Sequence, residues 1–311
     1  MKNINILFLG ASKRTSLLER FNAAALELGV KLKMYSCEIN DDFCPISHLA
    51  QILVGPKFSD SSFLSWLDNT IKGEKINIVI PNMDQATVAL AKYNEHYNNS
   101  NCWCVISSYD LCKKMNDKIL ADEFFKENNI STFENTEFYP KIIKERFGFG
   151  AKGQYIVNNK MEYNLLSKKI SIKNYIVQDY RKGKESTVDI YISKKHDLIG
   201  YVVRDRVLVS DGEVMNCTTR IPEYRERELI EKLAKYSWVG CITLQYITYP
   251  DKSLKVVEIN PRFGGGATCA IECGLNMPKY VIQEFLGERI DIPDIKQLKM
   301  VRARRDFFHE I

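Results

Sequence analysis

The hydrophobic pattern of this chain changes its period once, and that change constrains the fold more than any single residue does. Through the first part of the chain, short β-rich runs alternate with amphipathic stretches. Ile4 to Leu9 is strand-like, Leu17 to Leu28 has helical spacing and closes at Gly29, and Lys31 to Tyr35 is strand-like again. Ile76 to Ile80, a helix from about Asp84 to Tyr97 and the strand-like Cys102 to Ser107 continue the series. Such alternation predicts a parallel sheet flanked by helices. Lys113 to Asn129 reads as a helix with Leu120, Phe124 and Phe125 on one face. Beyond it the runs become strand-like with hairpin spacing: Tyr139 to Lys144, Gln154 to Val157, Tyr175 to Gln178, Thr187 to Ile192 and Leu198 to Val209. A last pair, Cys241 to Thr248 and Leu254 to Ile259, is joined by the turn Tyr249-Pro-Asp-Lys-Ser253. The expected class is α/β followed by α+β with antiparallel sheets.

Composition narrows the function classes. The 311 residues, 45% hydrophobic and 27% charged, suffice for a sizeable core and two or three small lobes. Lys and Arg total 44 against 39 Asp and Glu, spread along the chain without blocks. Nucleic-acid binding is therefore not implied, while a mild cationic excess suits anionic ligands such as nucleotides. The nine cysteines are an odd number and lie mostly in apolar segments, which fits reduced thiols in a cytoplasmic protein. Cys102 and Cys104 alternate along a strand, and Cys269 and Cys273 have helical spacing, but neither pair has a companion at zinc-like spacing. The four histidines are scattered, against hydrolytic zinc chemistry. Ile4 to Leu9 is too short for a signal segment, and no apolar stretch approaches the roughly 18 to 20 residues of a membrane span, so no membrane partner is expected.

Three stretches carry chemistry. In Val256-Val-Glu-Ile-Asn-Pro-Arg-Phe-Gly-Gly-Gly266, side chains two apart share a strand face, so Glu258 and Asn260 offer hard oxygens to Mg²⁺ together. Gln245 on the preceding strand adds a third, and Arg262 is placed to hold a phosphate or developing anion. A solvated strand end with a Gly-rich turn is the plainer alternative. The second stretch, Tyr139 to Gly153, is a strand running into a glycine loop. Lys144 is placed to neutralise phosphate oxygens, and Gly148, Gly150 and Gly153 let backbone N–H groups come close to a phosphate chain. It is not a Walker loop, and a flexible Gly/Lys hairpin is the alternative. Third, Ile176-Val-Gln-Asp-Tyr180 can present backbone groups to an adenine edge, with Glu185 accepting from ribose hydroxyls. Taken alone, Glu185 and Asp189 would be solvated strand residues. Near the N-terminus, Gly10-Ala-Ser-Lys-Arg-Thr-Ser16 lacks the G-x-G-x-x-G spacing, so a dinucleotide fingerprint is not supported.

In this order the three stretches resemble the ATP-grasp superfamily, over roughly Asp110 to Gly287. The resemblance implies that Lys118, in Asn116-Asp-Lys118 before a helix, reaches the nucleotide phosphates, and that Lys144 is the lysine of the small central lobe. It implies a mobile phosphate lid over Phe147 to Gly153, an adenine hinge at Gln178, Asp179 and Tyr180, and a ribose carboxylate at Glu185. Gln245, Glu258 and Asn260 match the metal triad in the form typical of carbamoyl-phosphate-synthetase-like members. ATP and Mg²⁺, or Mn²⁺ in its place, are the implied cofactors, with Lys144 and Arg262 as catalytic groups. Residues 1–107 look like the Rossmann-like lobe that precedes the ATP-grasp domain, 108–311, whose central lobe would span about 125–180 and C-terminal lobe about 181–311.

The activity implied is an ADP-forming carboxylate-amine or carboxylate-thiol ligase working through an acyl phosphate. A carboxylase or carbamoyl-phosphate-type kinase of the same fold, or a non-catalytic nucleotide-binding regulator, are the competing readings. The partners expected are a small carboxylate and an amine, and a homodimer is the assembly common among look-alikes. Asp84, in Pro81-Asn-Met-Asp84, is either a substrate contact or a plain helix N-cap. Arg204 and Arg206 resemble basic positions facing phosphates or acyl substrate, with surface strand arginines as the alternative. Two departures stand out. Glu145 follows Lys144 where Pro is usual, and one ATP-grasp unit is present instead of two, so full carbamoyl phosphate synthesis is not expected of this polypeptide alone.

Overall fold

The computed structural model describes residues 2–42, 44–97, 101–148, 150, 153–210, 212–290, 292–303 and 305–307. The first part of the chain runs β1 (Asn3–Leu9), α1 (Thr15–Glu27), β2 (Lys31–Glu38), β3 (Gln51–Val54), α2 (Phe63–Gly73), β4 (Ile78–Pro81), α3 (Asp84–His96) and β5 (Trp103–Cys104). Its strands form a parallel five-stranded sheet in the order β3-β2-β1-β4-β5. The central β1 is covered on both faces, so Ile6, Leu7, Phe8 and Leu9 are all buried and alternation is lost. Phe8 meets Phe21 of α1 on one side, while Leu7 and Leu9 share a core with Phe63 and Leu67 of α2 on the other. The chain moves outward from β1 to β3 and then crosses to β4, so the winding direction reverses between β1 and β4. The carboxyl ends of these two strands flank the switch-point crevice where open α/β sheets bind ligands.

Two helices follow, α4 (Tyr109–Asn116) and α5 (Lys118–Glu127). The sequence pattern predicts one continuous helix here, and Asp117 breaks it, with φ −111° and ψ 110°. Its carboxylate accepts from the Ile119 N–H at 3.0 Å and from Arg146 at 2.7 and 2.5 Å. An aspartate that caps the next helix and also holds a distant guanidinium gains more outside a helix than within one. The strand expected over Cys102 to Ser107 is reduced to Trp103 and Cys104, which alone pair with β4.

A small antiparallel sheet comes next, from β6 (Lys141–Glu145), β7 (Tyr155–Val157), α6 (Lys160–Ser167) and β8 (Tyr175–Asp179), with β6 in the middle. The remainder runs β9 (Lys184–Ile192), β10 (Leu198–Ser210), β11 (Glu213–Arg220), α7 (Tyr224–Leu233), β12 (Gly240–Thr248), β13 (Leu254–Asn260), α8 (Ala267–Glu272), α9 (Met277–Leu286) and β14 (Lys299–Val301). Its six strands make an antiparallel sheet ordered β13-β12-β9-β10-β11-β14.

Each face of that sheet is buried against different partners. Val188, Ile190, Ile242 and Leu244 pack with Phe124 and Phe125 of α5 and with Leu229, Ile230 and Leu233 of α7. On the opposite side, Tyr191 and Cys241 join α8, α9 and α1 in one core that continues into the parallel sheet. Phe21 is the joint, since its ring stands 5.0 Å from Phe8 and 5.8 Å from Phe263, both edge-on. No helix among the described residues is long and apolar enough to cross a membrane.

Phe21→Ala should cost about 3 to 5 kcal/mol by urea denaturation, because it opens a cavity between two lobes. Leu26→Ala, on the same helix but 80% exposed, should stay within about 0.5 kcal/mol.

Candidate functional site

Pairing of β12 with β13 places Gln245 opposite Glu258, and Thr243 opposite Asn260. The Gln245 amide donates to Glu258 Oε1 at 2.7 Å and the Asn260 amide to the same oxygen at 3.0 Å. Two amides thus converge on one carboxylate. They suit Mg²⁺ in kind, as hard oxygen donors on rigid strands. A single carboxylate is a weak cage for a free ion, and such a set fits Mg²⁺ arriving with phosphate oxygens and water. Consistently, no group of three or more His, Cys, Asp or Glu suited to a metal occurs among the described residues.

Lys144, near the end of β6, is 8% exposed, and its Nζ lies 5.3 Å from the Phe133 ring centroid. It has no carboxylate within ion-pair distance among the described residues. Burial holds its pKa below the ordinary lysine value, and the charge of Lys118 adds to this, while Glu258 and Glu185 pull the other way. Lys118, the first residue of α5, donates from Nζ to the Gly148 carbonyl at 2.5 Å. Its pKa is likewise lowered by burial, against the opposing charges of Glu258 and Asp84. Two ammonium groups therefore stand beside Glu258 with less negative charge around them than they call for.

The glycine loop folds back over Glu145. A Cβ at Gly148 would lie 2.8 Å from that of Glu145, and one at Gly153, where φ is +63°, would lie 2.5 Å from Glu145 Oε1. Both positions need glycine because the residue that replaces the expected proline fills the space beneath them. Gly150 lies against the turn between β10 and β11, at 2.7 Å from where a Gly212 Cβ would stand. Phe149, Ala151 and Lys152 of the expected lid lie outside the described residues.

The hinge differs in detail from its sequence reading. The Asp179 carboxylate is engaged internally, by Lys141 at 2.5 Å and by Thr136. The Asp179 and Tyr180 N–H groups are also taken, by the carbonyls of Glu134 and Pro140. Among the described residues, Arg181 is the first after them with a free main-chain donor. Gln178 is buried on β8, paired with Ile142. Glu185, at the start of β9, accepts from Arg206 at 2.7 Å, and the same Arg206 nitrogen donates to Gln245 Oε1 at 2.7 Å.

Neither strand arginine is a surface residue. Arg206 bridges Glu185 and the metal-type group, with its Nε buried and unpartnered. Arg204 is 1% exposed and pairs at 2.7 Å with Asp189, itself fully buried. The reading of Asp189 as a solvated residue is thereby corrected. Asp84 is not an N-cap either, since Met83 holds that position. Its carboxylate receives Arg262 in bidentate fashion at 2.5 and 2.9 Å. Pairing with Asp84 was not foreseen for Arg262, and the nearby Arg14 and Arg302 were missed altogether. Lys118, Lys144, Glu185, Gln245, Glu258, Asn260 and Arg206 are brought together; the Asp179 side chain points elsewhere.

Comparison with known proteins agrees with this picture. Residues 171–306 match the family described as ATP-grasp in the biosynthetic pathway with Ter operon. A D-alanine--D-alanine ligase of Petrotoga mobilis is 41% identical over 122 residues, which are 36% of this chain and 40% of that relative's length. N5-carboxyaminoimidazole synthetase from Staphylococcus aureus, solved with ADP, superposes with a TM-score of 0.77 at 19% identity, over 97% of this chain and 83% of that one. Biotin carboxylase from Campylobacter jejuni gives 0.70 at 14% identity, over 94% and 73%. Residues 171–306 thus match an ATP-grasp family model, and the fold shared with these ATP-grasp enzymes extends over nearly the whole chain. Both the resemblance and the mixed α/β class drawn from the sequence are borne out.

The lowered pKa of Lys144 has a defined sign. The unfolded chain binds its proton more tightly, so the penalty for burying the ammonium is absent above the ordinary value of 10.5, sets in as pH falls below that value and is complete below the lower folded value. Lys144→Met should therefore be more stable than the parent near pH 7 without ligands. That advantage should shrink as pH rises toward about 10.5 and be gone above it, in denaturation followed across pH.

Proposed function

We propose that this protein is an ADP-forming ligase that uses Mg-ATP to activate a carboxylate as an acyl phosphate for attack by an amine or a thiol. What supports this most is Lys144, a buried ammonium with no carboxylate at ion-pair distance among the described residues, which feels the charge of Glu258 in the Gln245–Glu258–Asn260 group. Such a charge is costly to keep unless an anion completes it.

In this reading Gln245, Glu258 and Asn260 would hold Mg²⁺, which would supply charge neutralisation for the phosphates. Lys144 and Lys118 neutralise phosphate oxygens, Lys118 giving up its bond to the Gly148 carbonyl to do so. Adenine lies along the strand end after Gln178, held by main-chain groups that include the Arg181 N–H, and Glu185 takes the ribose hydroxyls. Arg262, oriented by Asp84, faces the anion that develops as the carboxylate is phosphorylated. Catalysis is then mainly positioning and electrostatics, with the lid keeping water from the reactive acyl phosphate.

The test is release of ADP and phosphate from Mg-ATP across a panel of small carboxylates, alone and paired with amines or thiols. Release that depends on one carboxylate and rises with one nucleophile is expected. A carboxylated or phosphorylated product would move the assignment to a carboxylase or kinase. Lys144→Ala and Glu258→Ala should each lower turnover by about 100-fold or more while the circular dichroism spectrum is kept; full activity in both would refute the assignment.

A further inference from the structure

In the β1–α1 loop the backbone donors that could grip an anion are already taken. Its Ala11 and Ser12 N–H groups both donate to Glu38 Oε1, at 2.8 and 2.9 Å, and Ser36 donates to the same oxygen at 2.6 Å. An internal carboxylate thus occupies the place of a ligand phosphate. What the loop offers the crevice instead is a side chain, Arg14.

Arg14 reaches from the parallel sheet to the loop after β13. Its Nη1 donates to the Gly264 carbonyl at 3.3 Å, and a Cβ at Gly265 would stand 3.7 Å from the same nitrogen. Two further guanidinium groups converge on this glycine run. Arg302 donates to the Gly265 carbonyl at 2.5 Å, and Arg262 precedes the run on the chain. The carboxylates nearby are already engaged. Asp84 is held by both arms of Arg262, and Glu213 lies 3.5 Å from Arg302. Arg14 is left with one long bond to a carbonyl and no carboxylate in reach among the described residues. Its pKa is pushed down to about 10, chiefly by burial and then by the charge of Arg262, so it remains a cation at neutral pH in surroundings that disfavour one. At the adjoining end of β4, the Asn82 side-chain amide is buried with neither its nitrogen nor its oxygen hydrogen-bonded. Buried amides without partners are uncommon and mark places where a ligand or water completes the structure.

We propose that Arg14 is a specificity-determining anion anchor of the acceptor site, and that the acceptor carries a phosphate or carboxylate separate from the group that reacts. The site lies at the switch point between β1 and β4, closed by the glycine run of the antiparallel sheet. This rests on the ligase reading above. Arg262, two residues past Asn260, serves the reacting end, and Arg14, from the opposite lobe, serves the fixed charge. The acceptor is accordingly a small acid with a second anionic group.

The experiment is calorimetric titration of the whole protein with inorganic phosphate and, separately, with malonate. Saturating Mg²⁺ and a non-hydrolysable ATP analogue are present, so that the triphosphate subsites are filled. Saturable binding of at least one anion is expected, and the tighter of the two tells phosphate from carboxylate. Arg14→Gln should weaken it by about tenfold or more, and Arg14→Lys by less, because it keeps the charge and loses the fork. Without ligand, Arg14→Gln should melt no lower than the parent, since it removes a cation the free protein does not compensate. If the parent binds neither anion, or Arg14→Gln binds as tightly as the parent, the inference is overturned. Failure of the analogue itself to bind would overturn the nucleotide reading, and this inference with it.

Discussion

One ion pair sets the geometry on which the cleft depends. Arg262 and Asp84 are 178 residues apart and joined by two short hydrogen bonds. A planar fork against a carboxylate fixes both distance and orientation, so the loop after β13 is docked at a defined angle on the first turn of α3. Its contribution lies in alignment more than in stability, because desolvating both groups offsets much of their attraction. Docking of that loop sets where the Gly264 and Gly265 carbonyls point, and so where Arg14 and Arg302 rest. Behind the run, a Cβ at Gly266 would lie 2.5 Å from the Arg204 Cζ, and Arg204 is tied to Asp189 on β9. From the parallel sheet to the centre of the antiparallel one, arginines and glycines are stacked in alternation.

Much of this was legible in the sequence, for local reasons. Side chains two apart on a strand must share a face, so Glu258 and Asn260 could be placed together from their spacing alone, and Gln245 from the hairpin that joins their strands. The parallel and antiparallel halves were legible because the hydrophobic period differs between them. What escaped depends on distant partners. The apolar face of Leu120, Phe124 and Phe125 gives no sign that the helix breaks at Asp117, because Arg146 decides it from 29 positions away. Tyr224 to Leu233 went unread because it is dense in charge and only Leu229, Ile230 and Leu233 of its apolar side chains are buried, although the Glu223–Glu226 capping box marks its start. Arg204 and Arg206 stayed open between site-facing and surface positions because a strand pattern does not tell which face a second layer will cover. Asp84 reads equally well as a cap until the Arg262 side chain is seen to reach it.

The hairpin of β10 and β11 links Glu185 and Gln245 to Gly150 of the glycine loop. Arg206 holds Glu185 and Gln245 with one nitrogen and donates from another to the Gly212 carbonyl at 3.3 Å. Gly212 in turn lies against Gly150. Displacement of Arg206 would therefore be felt at once by β9, by β12 and by the β10–β11 turn that Gly150 rests on. Coupling by direct contact of this kind needs no relay through the core.

The carboxylate of Glu38 has a further consequence for how such a protein can change over time. In a loop that grips anions with its own backbone, recognition is fixed by chain path, and altering it means rebuilding the turn. Here the backbone donors are satisfied from within, and the crevice is lined by side chains whose replacement leaves the path of the main chain intact. A lobe of this construction can exchange one ligand for another by single substitutions, while the side chains across the cleft stay as they are.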